Sequence, residues 1–358
     1  VVDPDPGTRS PDRAPSAVRH TLAPAELQPA GGHRAVNRTR LVVGGAAVVI
    51  ATGLALLLTA MLSGGAPPAP GASVTSGAPV TSGASGGVAA TTVPSAPSTE
   101  CGGWGCAQQQ RFTAAANLIK SKPGYLGAIV RDRQTGAVWR AGATDRAIWT
   151  SSTIKLAIAT SLLERARTGE ITLDAKARAQ IAAMLHVSDN DAADALWERY
   201  GKDALVPRFQ QVYGMTGLSF VSGFPRYWGF MKCTPEDLLR LMSYALDKLN
   251  PADRDYLVGA MRGVGEIQQW GVWAAGPAQQ PGTKDGWSIE SDAGTDHWCT
   301  STVGFAGPDA RYAVAAMYHV PPGGTIDDGV HAVSDLVATI FGAPTPARVT
   351  VPDPQTGL

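Results

Sequence analysis

Residues 41–62, LVVGGAAVVIATGLALLLTAML, carry no charge and almost no polar group. As a helix, a run of that length matches the hydrocarbon core of a bilayer. Arg34, Arg38 and Arg40 precede it, and the first charge after it is Glu100. The positive flank predicts a cytoplasmic N-terminus and an extracytoplasmic bulk, the arrangement of a single-pass plasma-membrane protein. A cleaved signal sequence is the rival, but the leader and the apolar run are both long for one. No cysteine lies near the end of the run, so a lipoprotein anchor is not expected.

That run splits the chain into parts with different folding capacity. Residues 1–40 are rich in Pro, Ala, Arg and Gly without apolar period and predict a disordered cytoplasmic tail. Residues 63–100 form a Gly/Ser/Pro/Ala-rich linker that cannot bury a core. Residues 101–348 are the expected folded domain, and 349–358 a disordered tail. Lys plus Arg (30) equals Asp plus Glu (30), which leaves no electrostatic footprint for nucleic acid.

All four cysteines, Cys101, Cys106, Cys233 and Cys299, lie on the expected outer side. An even number there reads as two disulfides. Cys101–Cys106 would close a short loop and leave Cys233–Cys299 to pair across the domain; the other two connectivities remain open. There is no C-x-x-C pair, so neither zinc nor any other cofactor is expected.

Within the domain, helical spacing at 108–120 is followed by a hairpin, YLGAIVRDRQTGAVWRAG. A helix from Ser152 to Arg167 comes next, then helical stretches near 174–186, 188–200, 202–213 and 234–247. Asn250-Pro251, a cap followed by Pro at the first helical position, opens another. Strands are expected at 280–289, 298–306 and 311–320, and a last helix near 327–341. Strands at both ends with helices between predict an α+β domain. Its antiparallel sheet is built from both ends, with an inserted all-helical subdomain.

Three short segments carry the chemistry. Ser152 should open a helix, capped by Thr150 or Ser151, with Lys155 one turn on along the same face. A serine hydroxyl is a weak nucleophile until a neighbour takes its proton, and a desolvated lysine near other cations can do so. Ser188-Asp189-Asn190 precedes a helix and, taken alone, is also an ordinary cap. Lys284-Asp285-Gly286 lies on an expected strand, where Lys284 adds positive potential and Gly286 lets a substrate backbone approach.

In this order the segments resemble the S-x-x-K, S-D-N and K-T-G set of class A β-lactamases and penicillin-binding proteins. The resemblance covers roughly residues 108–342 and implies the β-lactamase/transpeptidase-like fold. It implies an acyl-enzyme on Ser152, with Lys155, Ser188 and Lys284 catalytic and with Asn190, Asp285, Gly286 and Trp287 binding substrate. The N–H groups of Ser152 and Trp287 would form the oxyanion hole. The implied partner is a β-lactam or a peptidoglycan-like amide. The alternatives are a D-alanyl-D-alanine carboxypeptidase or transpeptidase-like enzyme and a catalytically retired cell-wall peptide-binding domain.

The match has departures. Asp285 replaces a small hydroxyl residue and is expected to repel a substrate carboxylate. The loop at 219–232 contains no Asp or Glu, where class A enzymes carry the glutamate that activates the deacylating water. Slow deacylation is therefore expected. Tyr227, Trp228, Trp270, Trp273, Trp287 and Trp298 fit core and loop packing better than a platform for sugar rings.

Overall fold

A computed structural model describes residues 103–291 and 294–352. The expected tail, membrane helix and linker lie outside those residues, as does Cys101. Among the described residues no helix is long and apolar enough to cross a membrane.

The chain opens with α1 (Cys106–Ser121) and the hairpin β1 (Tyr125–Asp132) and β2 (Val138–Gly142). It returns at the C-terminal end with β6 (Gly282–Glu290), β7 (His297–Ala306), β8 (Tyr312–His319) and α8 (Ile326–Phe341). These five strands form one antiparallel sheet in the order β2-β1-β8-β7-β6. β6 is thus an edge strand, with one side unpaired by the sheet. Between the two ends lie α2 (Ile154–Arg167), α3 (Ala175–His186), α4 (Asn190–Tyr200), α5 (Val206–Gln211), α6 (Pro235–Asp247) and α7 (Pro251–Arg262). Three very short strands, β3 (Ile148–Trp149), β4 (Ser219–Phe220) and β5 (Met231–Cys233), make a second sheet in the order β3-β5-β4.

Alternation along the strands feeds two cores. One face of the main sheet packs on α1, α8 and the turn 271–275, through Phe112, Ala115, Val314, Ala316, Val333 and Leu336. The other face, through Ile129, Val303, Phe305 and Ala315, joins the helical core of α2 to α7. The helix starts are fixed by side chains. Asp174 Oδ1 accepts from Ala177 N, Asn250 Oδ1 from Ala252 N, and Thr234 and Thr325 each complete a capping box.

Three expectations are corrected. Cys233 and Cys299 are free, buried thiols rather than a disulfide. Cys233 pairs with Ile148 and faces the helical core, whereas Cys299 packs on Trp149, the next residue along β3. Successive strand residues face opposite ways, so β3 stands between the two thiols. Cys106 is disulfide-bonded. The domain also continues past Arg348: Val351 is 3% exposed in the α8-side core, and Pro352 O accepts from Trp287 Nε1 at 2.9 Å. Asp285, the third, turns its carboxylate to Thr302 and away from the cleft.

Candidate active site

A cleft of about 350 Å³ opens where α2, the start of α4 and the edge strand β6 meet. Its walls include Ser151, Ser152, Ser188, Asp189, Asn190, Trp228, Gly229, Trp287 and Ser288.

Ser152 sits half-buried in the single 3-10 turn, 151–153, that leads into α2. Neither expected cap operates there: Thr150 makes no side-chain cap, and Ser151 takes the left-handed φ of 46°. That backbone twist directs the Ser151 hydroxyl to Ser288 on β6, Oγ to Oγ 2.6 Å. Gly286 allows the contact between strand and turn, since a Cβ there would stand 2.7 Å from Ser152 N and 2.8 Å from Thr153 N. The turn that starts the helix is therefore pressed against the strand edge.

Lys155 is fully buried one turn into α2. Its Nζ donates to Ser188 O at 2.7 Å, Ser188 Oγ at 3.3 Å and Asn190 Oδ1 at 2.6 Å, and lies over the Trp228 ring. Burial drives its pKa down to about 7 against the opposing pull of Asp189 and Asp194. Trp228 is held by its Nε1, which donates to Asp194 Oδ1 at 2.8 Å; the Tyr227 hydroxyl donates to the same oxygen.

Ser188 takes φ 61° just before α4, and Asp189 caps that helix by accepting from Ala192 N at 2.8 Å. The left-handed turn brings the Ser188 hydroxyl inward to Lys284, whose Nζ lies 3.0 Å away. Lys284 also donates to Gln268 Oε1 at 2.5 Å and Asp285 O at 2.7 Å. Burial holds its pKa far below the usual lysine range, and the charge of Lys155 lowers it further.

Gln268 was not legible in the sequence. It is fully buried, and its Nε2 donates to Leu185 O at 2.7 Å and His186 O at 3.0 Å, just before the Ser188 turn. One neutral side chain thus ties that turn to Lys284. Ser151 and Ser288 were missed as a pair for a similar reason: their contact depends on one backbone twist and on strand placement.

Asp285 does not face the cleft. On β6 it stands directly opposite Thr302 of β7. Its Oδ1 accepts from Thr302 Oγ1 at 2.5 Å and Thr283 Oγ1 at 2.6 Å, while Oδ2 is buried without a hydrogen bond. Strand alternation puts Lys284 toward the helical core and sends Asp285 through to the α8 side. Burial pushes its carboxyl pKa upward. Contrary to expectation, the Asp285 carboxylate is therefore not placed to repel a substrate carboxylate in the cleft.

The structure brings Ser152, Ser188, Asn190 and Trp287 to the cleft wall, places Lys155 and Lys284 directly behind Ser188, and lays Gly286 against the serine turn. Of the other aromatic candidates, Trp228 lines the cleft, while Trp270, Trp273 and Trp298 do not.

A serine at a helix start, two buried lysines behind it and a five-stranded antiparallel sheet define the architecture of the serine β-lactamases. A family model described as the β-lactamase enzyme family matches residues 110–180 and 176–342, and the chain belongs to that family. An ancestral class A β-lactamase superposes with a TM-score of 0.54 at 20% identity, covering 65% of this chain and 99% of its own. A β-lactamase from Xanthomonas campestris pv. campestris gives 0.52 at 20% identity, covering 66% and 97%. PBP-A gives 0.51 at 19% identity, covering 65% and 95%. Among curated proteins, "Putative lipoprotein LppW" of Mycobacterium tuberculosis and of Mycobacterium bovis is 29% identical over 211 residues, 56% of this chain. The chain matches 65% of those relatives' length, less than two thirds.

Proposed function

We propose that this protein is an extracytoplasmic serine hydrolase that attacks a β-lactam or a peptidoglycan-like amide through an acyl-enzyme on Ser152. The observation that carries the reading is the convergence of Lys155 and Lys284 on the Ser188 hydroxyl, at 3.3 and 3.0 Å, behind the wall that exposes Ser152.

Lys155, with its pKa brought to about 7, is available as a neutral amine at physiological pH. It takes the Ser152 proton as Oγ bonds to the carbonyl carbon. The oxyanion that forms faces the N–H groups of Ser152 and Trp287, at the helix start and the free strand edge. The Ser188 hydroxyl accepts from both lysines, so its own proton is directed to the leaving nitrogen. That proton passes across as the C–N bond breaks, and Lys155 returns its proton to Ser188. Asn190 gives its Oδ1 to Lys155, which leaves Nδ2 to hold the substrate carbonyl.

Deacylation is expected to be slow. Trp228 and Gly229 are the residues of the 219–232 loop in the cleft wall, and neither is a carboxylate. Of the wall's two carboxylates, Asp189 is engaged as the cap of α4 and Asp191 is solvent-exposed in that helix's first turn. This favours, as a second reading, a transpeptidase-like enzyme whose acyl group waits for an amine. Anchoring through residues 41–62, with the catalytic domain outside the plasma membrane, is supported by the apolar run and its arginine flank. The word lipoprotein in the mycobacterial relatives' name supports the same side of the membrane.

A stopped-flow experiment with a chromogenic β-lactam tests this function. A burst equal to the enzyme concentration followed by a slow steady state is expected, because loss of a general base costs about a hundred- to ten-thousand-fold. Fast multiple turnover would reject slow deacylation, and neither burst nor turnover with β-lactams and activated esters would reject the hydrolase.

A further inference from the structure

Three observations bear on the charge of the substrate. The first is that both lysine nitrogens are enclosed by protein partners. Lys155 Nζ lies against Ser188 O, Ser188 Oγ and Asn190 Oδ1, and Lys284 Nζ against Ser188 Oγ, Gln268 Oε1 and Asp285 O. Both lysines are fully buried, and neither forms part of the cleft wall.

The second is the hydroxyl inventory. The Ser151–Ser288 hydrogen bond at 2.6 Å takes one of the pair's two hydroxyl protons, and the Asp285 side chain is turned to the far side of β6. The third is the wall itself. Among the described residues, its charged side chains are Asp189 and Asp191, with no Lys, Arg or His. Asp191 is exposed in the first turn of α4, and the apolar side chains Val187, Ile267, Trp287 and Pro352 also line the cleft. Val187 is 42% exposed, an apolar surface open to a ligand.

A carboxylate entering this cleft meets no cationic side chain in the wall and two of its own sign. An amine meets the reverse. We infer that the cleft takes an acyl donor that carries a basic amine and an apolar group and has no carboxylate beside the scissile bond. The inference rests on the acyl-enzyme reading and names the substrate class for the same site. A penicillin, which brings a carboxylate to the reacting ring, is expected to acylate the protein more slowly than a donor that carries an ammonium in its place, while still giving the burst.

The test uses the full chain and three activated esters that share one apolar acyl group and differ only in a neighbouring ammonium, uncharged amide or carboxylate. Acylation is followed by intact-protein mass. The expected order is ammonium, then amide, then carboxylate, with about tenfold between the outer two at low salt and a smaller ratio at high salt. In Asp191→Asn the ammonium-to-carboxylate ratio is expected to fall by about fivefold. A carboxylate donor that reacts as fast as the others, or a ratio that Asp191→Asn leaves unchanged, overturns the inference and leaves the acyl-enzyme standing. No adduct with any of the three overturns the acyl-enzyme reading and the inference with it.

Discussion

Lys284 Nζ lies 3.0 Å from the Ser188 hydroxyl oxygen, joining residues 96 positions apart. The contact brings the edge strand of the sheet to the turn that leads into α4, in the inserted helical region. It gives the hydroxyl an orientation that neither segment has alone, because a donor on one side sends the serine proton to the other.

As the proposed base, Lys155 sets the expected pH dependence. Its pKa is lowered to about 7, so the amine is protonated below that pH and neutral above it. The rate of covalent labelling should rise about tenfold per pH unit below neutrality and level off above it. Lys155→Arg, which stays charged, should lose labelling at every pH. A rate that is flat from about pH 5.5 to about 8.5 contradicts the assignment of Lys155 as base.

Asp285 should report on stability rather than on substrate charge. Burial raises its folded-state pKa above the unfolded value of 3.8. Its favourable contribution is therefore complete at acid pH and is lost as pH rises toward the folded value. Asp285→Asn should show a melting temperature that gains on the parent protein from about pH 4 to neutrality. The variant's relative rates toward charged and uncharged donors should not move. A melting-temperature gap independent of pH would contradict a buried carboxylate at this position.

The thiol pattern is directly measurable. In denaturant without reductant, alkylation should modify Cys233 and Cys299, while Cys106 should react only after reduction. In the native state both buried thiols should resist the reagent, since burial raises their pKa and excludes it. A Cys233–Cys299 cross-linked peptide would contradict the placement of β3 between them.

Much of the α+β order was legible because its signals are local. The 108–120 period, the Gln-Thr-Gly hairpin turn and the Asn250-Pro251 helix start each specify an element without distant partners. β3, β4 and β5 are two or three residues long, too short for any period to register. The serine, lysine and glycine positions were readable from the three motifs. The direction of Asp285 was not, because it depends on which strand residue faces Thr302. Gln268 lies in a short turn with no pattern, and its importance comes from three distant partners, Leu185, His186 and Lys284. Cysteine parity could not anticipate that Cys233 and Cys299 are separated by a strand carrying Ile148 and Trp149.

The central claim is that Ser152 forms a covalent acyl-enzyme. The most direct measurement is peptide mapping of the full chain after reaction with an activated ester bearing an amine. The account predicts one added acyl group on the peptide containing Ser152, its complete loss in Ser152→Ala, and an unchanged melting transition in that variant. An adduct that persists in Ser152→Ala at the parent rate would contradict it.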